Sequence, residues 1–226
     1  MQDINIKMKE LNNTNLLVTE TVKEKKVYNF FKRFLDMVIA IIGIVVLSPV
    51  MLIVAILVRV DSPGKVVFAH ERIGKNSKKI KIYKFRSMYE NSEEIFRNFT
   101  EDQKKEYYEN FKLDNDPRIT KVGKVIRKTS LDELPQLINV IRGDMSIVGP
   151  RPIVEAEISK YGVYFEKFTS VTPGVTGYWQ ANGRSETTYD ERVKMDMYYI
   201  DNRSLLLDTK IIIQTIISVI KKEGAI

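Results

Sequence analysis

An uncharged apolar run at residues 37–58 constrains the fold of this chain more than any other feature. At 1.5 Å per residue, a helix of this length matches the hydrocarbon core of a bilayer. Ser48 and Pro49 lie at the centre of the run, and proline removes a backbone donor and clashes with the preceding turn. We therefore expect a kink there, with the Ser48 hydroxyl bonding a carbonyl that the proline frees.

The charges that flank this run leave two topologies open. Basic residues precede it at Lys23, Lys25, Lys26, Lys32 and Arg33, and follow it at Arg59, Lys65, Arg72, Lys75 and Lys78. A spanning helix should place most basic residues on one side of the membrane. Two half-helices that meet at Ser48 and Pro49 would each reach about 15 Å, half of the hydrocarbon thickness. The pattern alone allows a kinked spanning helix and a re-entrant helix-break-helix hairpin.

Composition narrows the class of protein. The chain has 226 residues, which suits one domain with attachments. A net charge of +7 fits nucleic acid, an anionic membrane or phosphorylated substrates, but no nucleic-acid-binding motif accompanies it, and we predict no nucleic-acid partner. Cysteine is absent, which excludes disulfides and thiolate chemistry. Residues 1–29 are polar and charged, so no cleavable signal peptide is expected.

Hydrophobic periodicity predicts a mainly α chain with a small β-hairpin. Residues 66–69 and 79–85 read as the two strands of the hairpin. Helices are expected at 90–111, from 122 across Asp132, at 189–200 and at 208–222. The last segment is apolar around most of its circumference, so both core packing and a position in the membrane interface fit it.

Two adjacent carboxylates, Asp132 and Glu133, stand between Arg127 and Arg151. Arginine forks grip phosphate oxygens, and a hard cation such as Mg²⁺ bridges carboxylate and phosphate. Ser130 and Glu133 also have the spacing of a capping box, so the hexapeptide alone would fit an ordinary helix start. The flanking arginines favour a phosphate site.

Several ordered motifs resemble one family. The segments 130–136 (SLDELPQ), 143–152 (GDMSIVGPRP) and 173–180 (PGVTGYWQ) look like the bacterial sugar transferases. These are the monotopic phosphoglycosyl transferases that start glycan assembly on polyprenol phosphate. Upstream, residues 32–36, 71–74 and 83–88 match the same family in the same order. The resemblance covers about residues 30 to 224, with an apparent variable insertion at 91–113.

This resemblance implies a reaction and a location. The reaction moves a sugar-1-phosphate from a UDP-sugar to polyprenol (undecaprenyl) phosphate and releases UMP, the first membrane step of bacterial glycan assembly. The family is described with a re-entrant hairpin, which implies a polar tail at 1–29, the hairpin at 30–60 and a cytosolic catalytic domain with interfacial helices at 61–226. The expected place is the cytosolic face of the bacterial inner membrane, and a homodimer is compatible with it.

The resemblance also leaves limits. The chain lacks the multi-span N-terminal region of larger relatives and is expected to be the compact form. Neither the sugar nor the glycan pathway can be read from the residues. A catalytically inactive scaffold or regulator of the same pathway is the alternative, although it would have no use for the carboxylate pair and its arginines.

Residue roles follow from the resemblance and from chemistry. Asp132 is the expected nucleophile, because a carboxylate can form an acyl phosphate and split the transfer into two steps. Glu133 would project about 100° away around a helix and is the expected Mg²⁺ ligand. The candidate substrate and phosphate contacts are Lys84, Arg86, Arg127, Asp144, Arg151, Gln180 and Arg184. Simpler roles stay open for several of them: a solvated strand end for Lys84 and Arg86, and a turn for Asp144. Trp179 is expected to lie in the core rather than to form a platform for the sugar, and His70 is expected to be structural.

Overall fold

The computed structural model describes residues 24–110, 113, 115–183 and 187–221. Its first element, α1 (Lys26–Asp61), contains the whole apolar run and continues through Ser48 and Pro49 without interruption. The two separate half-helices that we predicted are therefore not seen. The helix also begins before the predicted boundary at residue 30, and residues 1–23 of the predicted tail lie outside the described part.

The predicted role of Ser48 is confirmed. Its hydroxyl donates to the Val45 carbonyl at 2.8 Å. In a regular helix that carbonyl would accept from the N–H of the residue four positions later, which is Pro49 and has none. The serine thus satisfies an acceptor that the proline leaves open, in the middle of the apolar run.

One side of α1 packs on the rest of the protein, with Asp36, Ala40, Val54 and Val58 buried. The other side exposes large apolar side chains along the length of the helix. In the described part of the chain, α1 is the one helix long and apolar enough to cross a membrane. An exposed apolar face of this extent is typical of a surface that contacts lipid or another protein.

Polar contacts hold the N-terminal half of α1 to the body of the protein. Lys32 forms an ion pair with Asp208 at 2.8 Å. Arg33 donates to the carbonyls of Val140 and Ile141 at 2.5 and 2.8 Å. These contacts join the start of α1 to two elements more than a hundred residues away in sequence.

Arg86 holds the other end of α1, which corrects its predicted role as a phosphate contact. Its guanidinium donates to the carbonyls of Val58, Ser62 and Pro63 at 3.1, 2.6 and 2.5 Å. The residue is only 8% exposed. These carbonyls lie at the C-terminus of a helix, where acceptors lack intrahelical partners. Arg86 is therefore a structural cap for the C-terminal end of α1.

The predicted β-hairpin is confirmed and longer than expected. Strands β1 (Val67–Ile73) and β2 (Lys79–Phe85) pair antiparallel, with Val67 opposite Phe85 and Ile73 opposite Lys79. A second, parallel pair joins β3 (Ser146–Val148) to β4 (Gly174–Thr176) and was not predicted. Strands of three residues carry too few positions for an alternation to be read.

The rest of the described chain is mainly helical, as predicted. The helices after the hairpin are α2 (Ser92–Arg97), α3 (Glu101–Asn110), α4 (Lys121–Lys128), α5 (Gln136–Arg142), α6 (Ile158–Tyr161), α7 (Phe165–Thr169), α8 (Tyr178–Asn182), α9 (Tyr189–Asn202) and α10 (Leu205–Lys221). Short 3₁₀ turns occupy Lys75–Ser77, Leu131–Glu133, Glu155–Glu157 and Gly162–Tyr164. The helix expected at 189–200 is α9, which a capping box between Thr188 and Glu191 starts.

The expected single helix over 90–111 is two helices, α2 and α3. Thr100 begins the second one, since its hydroxyl accepts from the Gln103 N–H while its own N–H donates to the Gln103 side chain. Both helices pack aromatic rings around the Arg118 guanidinium, whose carbon lies about 5 Å from three ring centres. Arg118 also forms an ion pair with Asp116 at 2.7 Å. Arg118 therefore links the apparent insertion to the body of the protein.

The final helix, α10, has one buried face and one exposed face. Ile211 and Ser218 are buried, whereas Leu206, Ile213, Ile216 and Ile217 are exposed. The expected core packing of this helix is therefore seen at Ile211. The exposed isoleucines leave the interfacial reading open for the opposite side.

Arg86→Met should lower stability, because three helix-terminal carbonyls would lose their donor at once. We expect a loss of about 3 kcal/mol in the free energy of unfolding, given that each bond to a charged group contributes about 1.5–3 kcal/mol and water replaces part of it. Thermal unfolding in detergent measures this, with the exposed Lys65→Met as the matched control. Unchanged stability with lost turnover would instead support the phosphate role.

Candidate active site

Asp132 and Glu133 lie in a tight 3₁₀ turn and not inside a helix. Helix α4 ends at Lys128, and Ser130 adopts a left-handed conformation with φ 56° before the turn. The Ser130 side chain makes no capping hydrogen bond, so the capping-box reading is wrong. The prediction of a helix that runs across Asp132 is also wrong, because the left-handed Ser130 cannot continue a right-handed helix. The turn brings both carboxylates out near β2.

Two cations meet at Glu133. Its Oε1 atom accepts from Lys84 Nζ at 2.5 Å and lies 3.5 Å from a terminal nitrogen of Arg151. Lys84 Nζ is also 4.0 Å from Asp132 Oδ2. Lys84 comes from β2, and Arg151 follows β3 between two prolines. The structure thus brings four of the predicted site residues together from three parts of the chain.

The two neighbouring carboxyls have different proton affinities. Burial raises the pKa of Asp132 above its usual range; Lys84 opposes this shift and the charge on Glu133 adds to it. Burial acts on Glu133 in the same direction, but Lys84 and Arg151 outweigh it and hold the pKa of Glu133 below its usual range. Carboxyls whose environments separate in this way are suited to different tasks. Glu133 is therefore held as an anion, and Asp132 is the more basic of the two carboxylates.

Arg127 also faces the pair. Its Nε donates to the Ser87 hydroxyl at 2.8 Å. Burial lowers the pKa of Arg127, and the negative charge of Asp132 opposes that shift. An arginine oriented by a serine and close to a buried carboxylate is placed to bind an anion that enters beside Asp132.

Two further residues, His70 and Arg72, lie close to the cations of this site. His70 was expected to be structural, and Arg72 was not among the candidates. The hairpin register puts both on the face that carries Lys84. Arg72 approaches His70 Nδ1 at 3.3 Å and Glu157 at 3.4 Å. Burial, followed by repulsion from Arg151, lowers the pKa of Arg72 to about 10. Alternation along β1 would have revealed them if the predicted strand had not stopped at residue 69.

Trp179 is half-buried, and it is not simply a core residue as expected. The guanidinium carbon of Arg192 lies 4.7 Å from the centre of its ring. Burial and the nearby charge of Arg151 lower the pKa of Arg192. The cationic region around Glu133 therefore extends to α8 and α9.

Other predicted residues are not brought to the carboxylate pair. Asp144 lies in the turn after α5, 3.3 Å from Arg142, and Gln180 donates to the Val175 carbonyl at 3.4 Å. Within the described residues, neither contacts Asp132 or Glu133. Of the two roles open for Asp144, a substrate contact and a turn residue, its position fits the turn. Arg184 lies outside the described part.

The carboxylate pair fits the minimum requirement of a magnesium site. Among the described residues, no group of three or more histidine, cysteine, aspartate or glutamate side chains forms a closed metal site. Mg²⁺ commonly uses one or two carboxylates and completes its shell with water and substrate phosphates. Both cations approach Oε1 of Glu133, and within the described residues its Oε2 has no hydrogen-bond or ion-pair partner. That oxygen is available to a metal.

His70 gives a direct measure of the positive field at this site, because it is the only histidine in the chain. Burial, followed by Arg72, Lys84 and Arg151, lowers its pKa to about 4 from the ordinary 6.5. Titration of ¹⁵N-labelled histidine by NMR should show this value, and Arg72→Gln should raise it. The unfolded chain takes up a proton near pH 6.5 and the folded one does not, so stability should fall as the pH drops from 6.5 towards 4. A pKa near 6.5 in the folded protein would show that the cations do not converge on this residue.

Comparison with known proteins shows the family of this chain. The profile of the family described as Bacterial sugar transferase matches residues 27–222. The UDP-galactose-lipid carrier transferase of Erwinia amylovora is 45% identical over 199 residues, which are 87% of this chain and 42% of that protein. The exopolysaccharide production protein ExoY of Sinorhizobium fredii is 43% identical over 209 residues, 91% of this chain and 92% of the relative. The UDP-glucose:undecaprenyl-phosphate glucose-1-phosphate transferase of Escherichia coli is 38% identical over 220 residues, 93% of this chain and 44% of the relative.

This chain thus spans less than half of the Erwinia and Escherichia relatives and nearly all of ExoY. The matched region contains the carboxylate turn, the hairpin with Lys84 and the segment with Arg151. Because the family profile covers most of the sequence and the ExoY relative is covered almost end to end, the chain belongs to the bacterial sugar transferase family.

Proposed function

We propose that this protein transfers a sugar-1-phosphate from a UDP-sugar to polyprenol (undecaprenyl) phosphate and releases UMP. The observation that carries the proposal is the pair of buried Asp132 and half-buried Glu133, which lies among the cations of Lys84, Arg127 and Arg151. The names of two relatives support it. One is named for UDP-glucose and undecaprenyl phosphate, and another for UDP-galactose and a lipid carrier. Those names differ in the sugar, so the proposal leaves the sugar unassigned.

The chemical problem is an attack on a phosphorus atom whose oxygens are already negative. The cations of Lys84, Arg127 and Arg151 reduce this repulsion by binding phosphate oxygens. An Asp132 oxygen then attacks the phosphorus that carries the sugar. One P–O bond forms to the carboxylate and the P–O bond to UMP breaks.

The second half of the reaction breaks the bond between Asp132 and the sugar phosphate. An oxygen of polyprenol phosphate attacks the same phosphorus, and Asp132 leaves as a carboxylate. The raised pKa of Asp132 supports its role, because a more basic carboxylate is the better nucleophile. Glu133 would hold Mg²⁺, which would supply further charge neutralisation of the phosphate oxygens.

We propose a re-entrant arrangement in which α1, a continuous helix, bends at Ser48 and Pro49. The bend would lie inside one leaflet, and both ends of the helix would lie at the cytosolic face of the inner membrane. The contacts of α1 support this, since Lys32 near its start and Val58 near its end are held by the same globular body. A helix that crossed the bilayer would have its ends on opposite sides, where one body could not reach both. Exposed isoleucines on α10 would lie in the interface of the same leaflet.

The transferase proposal is tested with the solubilised protein, polyprenol phosphate and a panel of UDP-sugars. The wild type should release UMP and form a lipid-linked product with at least one donor. Asp132→Asn should lower turnover by about 10⁴-fold or more, because an amide is a poor nucleophile at phosphorus. Asp190→Asn, an exposed aspartate on α9, is the matched control. Loss of turnover in both variants, or in neither, would contradict the assignment, and an inactive wild type would favour the scaffold alternative.

Glu133→Gln tests the metal. The substitution keeps the shape of the side chain and removes the charge, so it should lower activity and raise the Mg²⁺ concentration needed for half-maximal turnover. Titration of activity against Mg²⁺ measures both effects. Turnover by the wild type in excess chelator would remove the metal from the mechanism.

The re-entrant arrangement is tested with single cysteines at Asn5 and Lys65, since the chain has no cysteine of its own. Both positions should be protected from an impermeant thiol reagent in intact cells and react after permeabilisation. Labelling of position 5 in intact cells would establish a spanning helix instead. Pro49→Leu should shift the chain towards spanning, because it restores a backbone donor and removes the ring clash.

A further inference from the structure

A cavity of about 250 Å³ lies between the first turns of α1 and the body of the protein. Residues 28–36 of α1 form one wall, and the hairpin turn at Lys75 and residues 143–146 and 170–172 form others. Within the described residues, none of those that line it contacts Asp132 or Glu133. The cavity is therefore separate from the candidate active site.

The lining of this cavity is positively charged. It includes four basic residues, Lys32, Arg33, Lys75 and Arg203, and one acidic residue, Asp36. Lys32 is matched by Asp208, which lies just behind the wall. Arg33 donates to two neutral carbonyls and so keeps its full charge. Lys75 is exposed and has no ion-pair partner among the described residues.

Neutral donors complete the lining. The Asn29 amide and the Thr172 hydroxyl line the cavity, and neither side chain makes a hydrogen bond to another described residue. Phosphate oxygens accept from ammonium, guanidinium, amide and hydroxyl groups alike. The cavity therefore offers charge and free donors suited to a phosphate group.

The position of the cavity indicates where that phosphate comes from. Phe30, Phe31 and Phe34 stand exposed on the same turns of α1, with Phe30 71% exposed. The apolar run begins four residues after Arg33, about 6 Å further along the helix axis. Aromatic side chains at such a level enter the boundary between headgroups and acyl chains. A lipid beside this helix would place its phosphate at the level of the cavity.

We propose that this cavity binds the phosphate group of an anionic membrane lipid and so fixes the start of α1 at the bilayer surface. The apolar run that begins one turn after Arg33 favours a lipid over a free phosphate ion, since it would hold the cavity at the level of the lipid headgroups. The exposed phenylalanines lie on the opposite side of α1 and mark the same level. The proposal rests on the membrane position of α1 and not on the proposed transfer reaction.

The test uses the full chain, reconstituted in bilayers of phosphatidylcholine and phosphatidylglycerol and then released into detergent for native mass spectrometry. The wild type should retain phosphatidylglycerol in preference to phosphatidylcholine. Lys75→Glu should reduce that retention about tenfold, because the variant replaces the attraction between a basic residue and an anionic lipid with repulsion. Lys78→Glu makes the same charge change in the same hairpin turn, outside the cavity lining, and should retain the lipid.

A second variant, Thr172→Asp, places a carboxylate on the opposite wall and should also reduce retention, while thermal unfolding checks that each variant is folded. Equal loss in Lys78→Glu would assign the effect to general surface charge and overturn the proposal. Equal retention of the two lipids by the wild type would overturn it as well. A third contrary result is displacement of the lipid by inorganic phosphate alone, which would make the cavity a site for a soluble ion.

Discussion

The ion pairs at Glu133 organise the candidate active site. Lys84 and Arg151 reach this carboxylate from the hairpin and from the segment after β3, so one anion joins three distant parts of the chain. Because both cations lie on Glu133, the pKa of that group falls while burial keeps the pKa of neighbouring Asp132 high. The same contacts therefore fix the geometry and divide the roles of the two carboxyls. Removal of either cation should disturb both at once.

The second constraint on the structure is the attachment of α1 to the body of the protein. The helix is mostly apolar, but the contacts that attach its two ends are polar. Lys32 and Arg33 hold its start, and Arg86 holds the carbonyls at its end. Buried charges that bond to carbonyls are costly to break, so the helix is tied to the body and not merely packed on it. The reaction proposed for Asp132 needs a lipid acceptor, and this attachment would keep the active site close to the membrane that supplies it.

Much of the fold could be predicted from periodicity, and the pairs that build the site could not. Long elements such as α1, α9 and the hairpin repeat their pattern often enough to be read. The left-handed Ser130 was missed because the spacing from Ser130 to Glu133 is the same in a capping box and in this turn. The structural role of Arg86 could not be read from the sequence, because the carbonyls that it binds belong to the end of α1, more than twenty residues away.

The central claim is that Asp132 forms a covalent bond to the sugar phosphate before the lipid is used. Rapid quenching of the enzyme with a UDP-sugar and no acceptor measures it most directly, with UMP quantified and the peptide that contains Asp132 weighed. If the bond forms, about one equivalent of UMP per active site should be released, and the peptide should gain the mass of one sugar phosphate. No UMP release without acceptor, together with an unmodified peptide, would show that polyprenol phosphate attacks the donor directly.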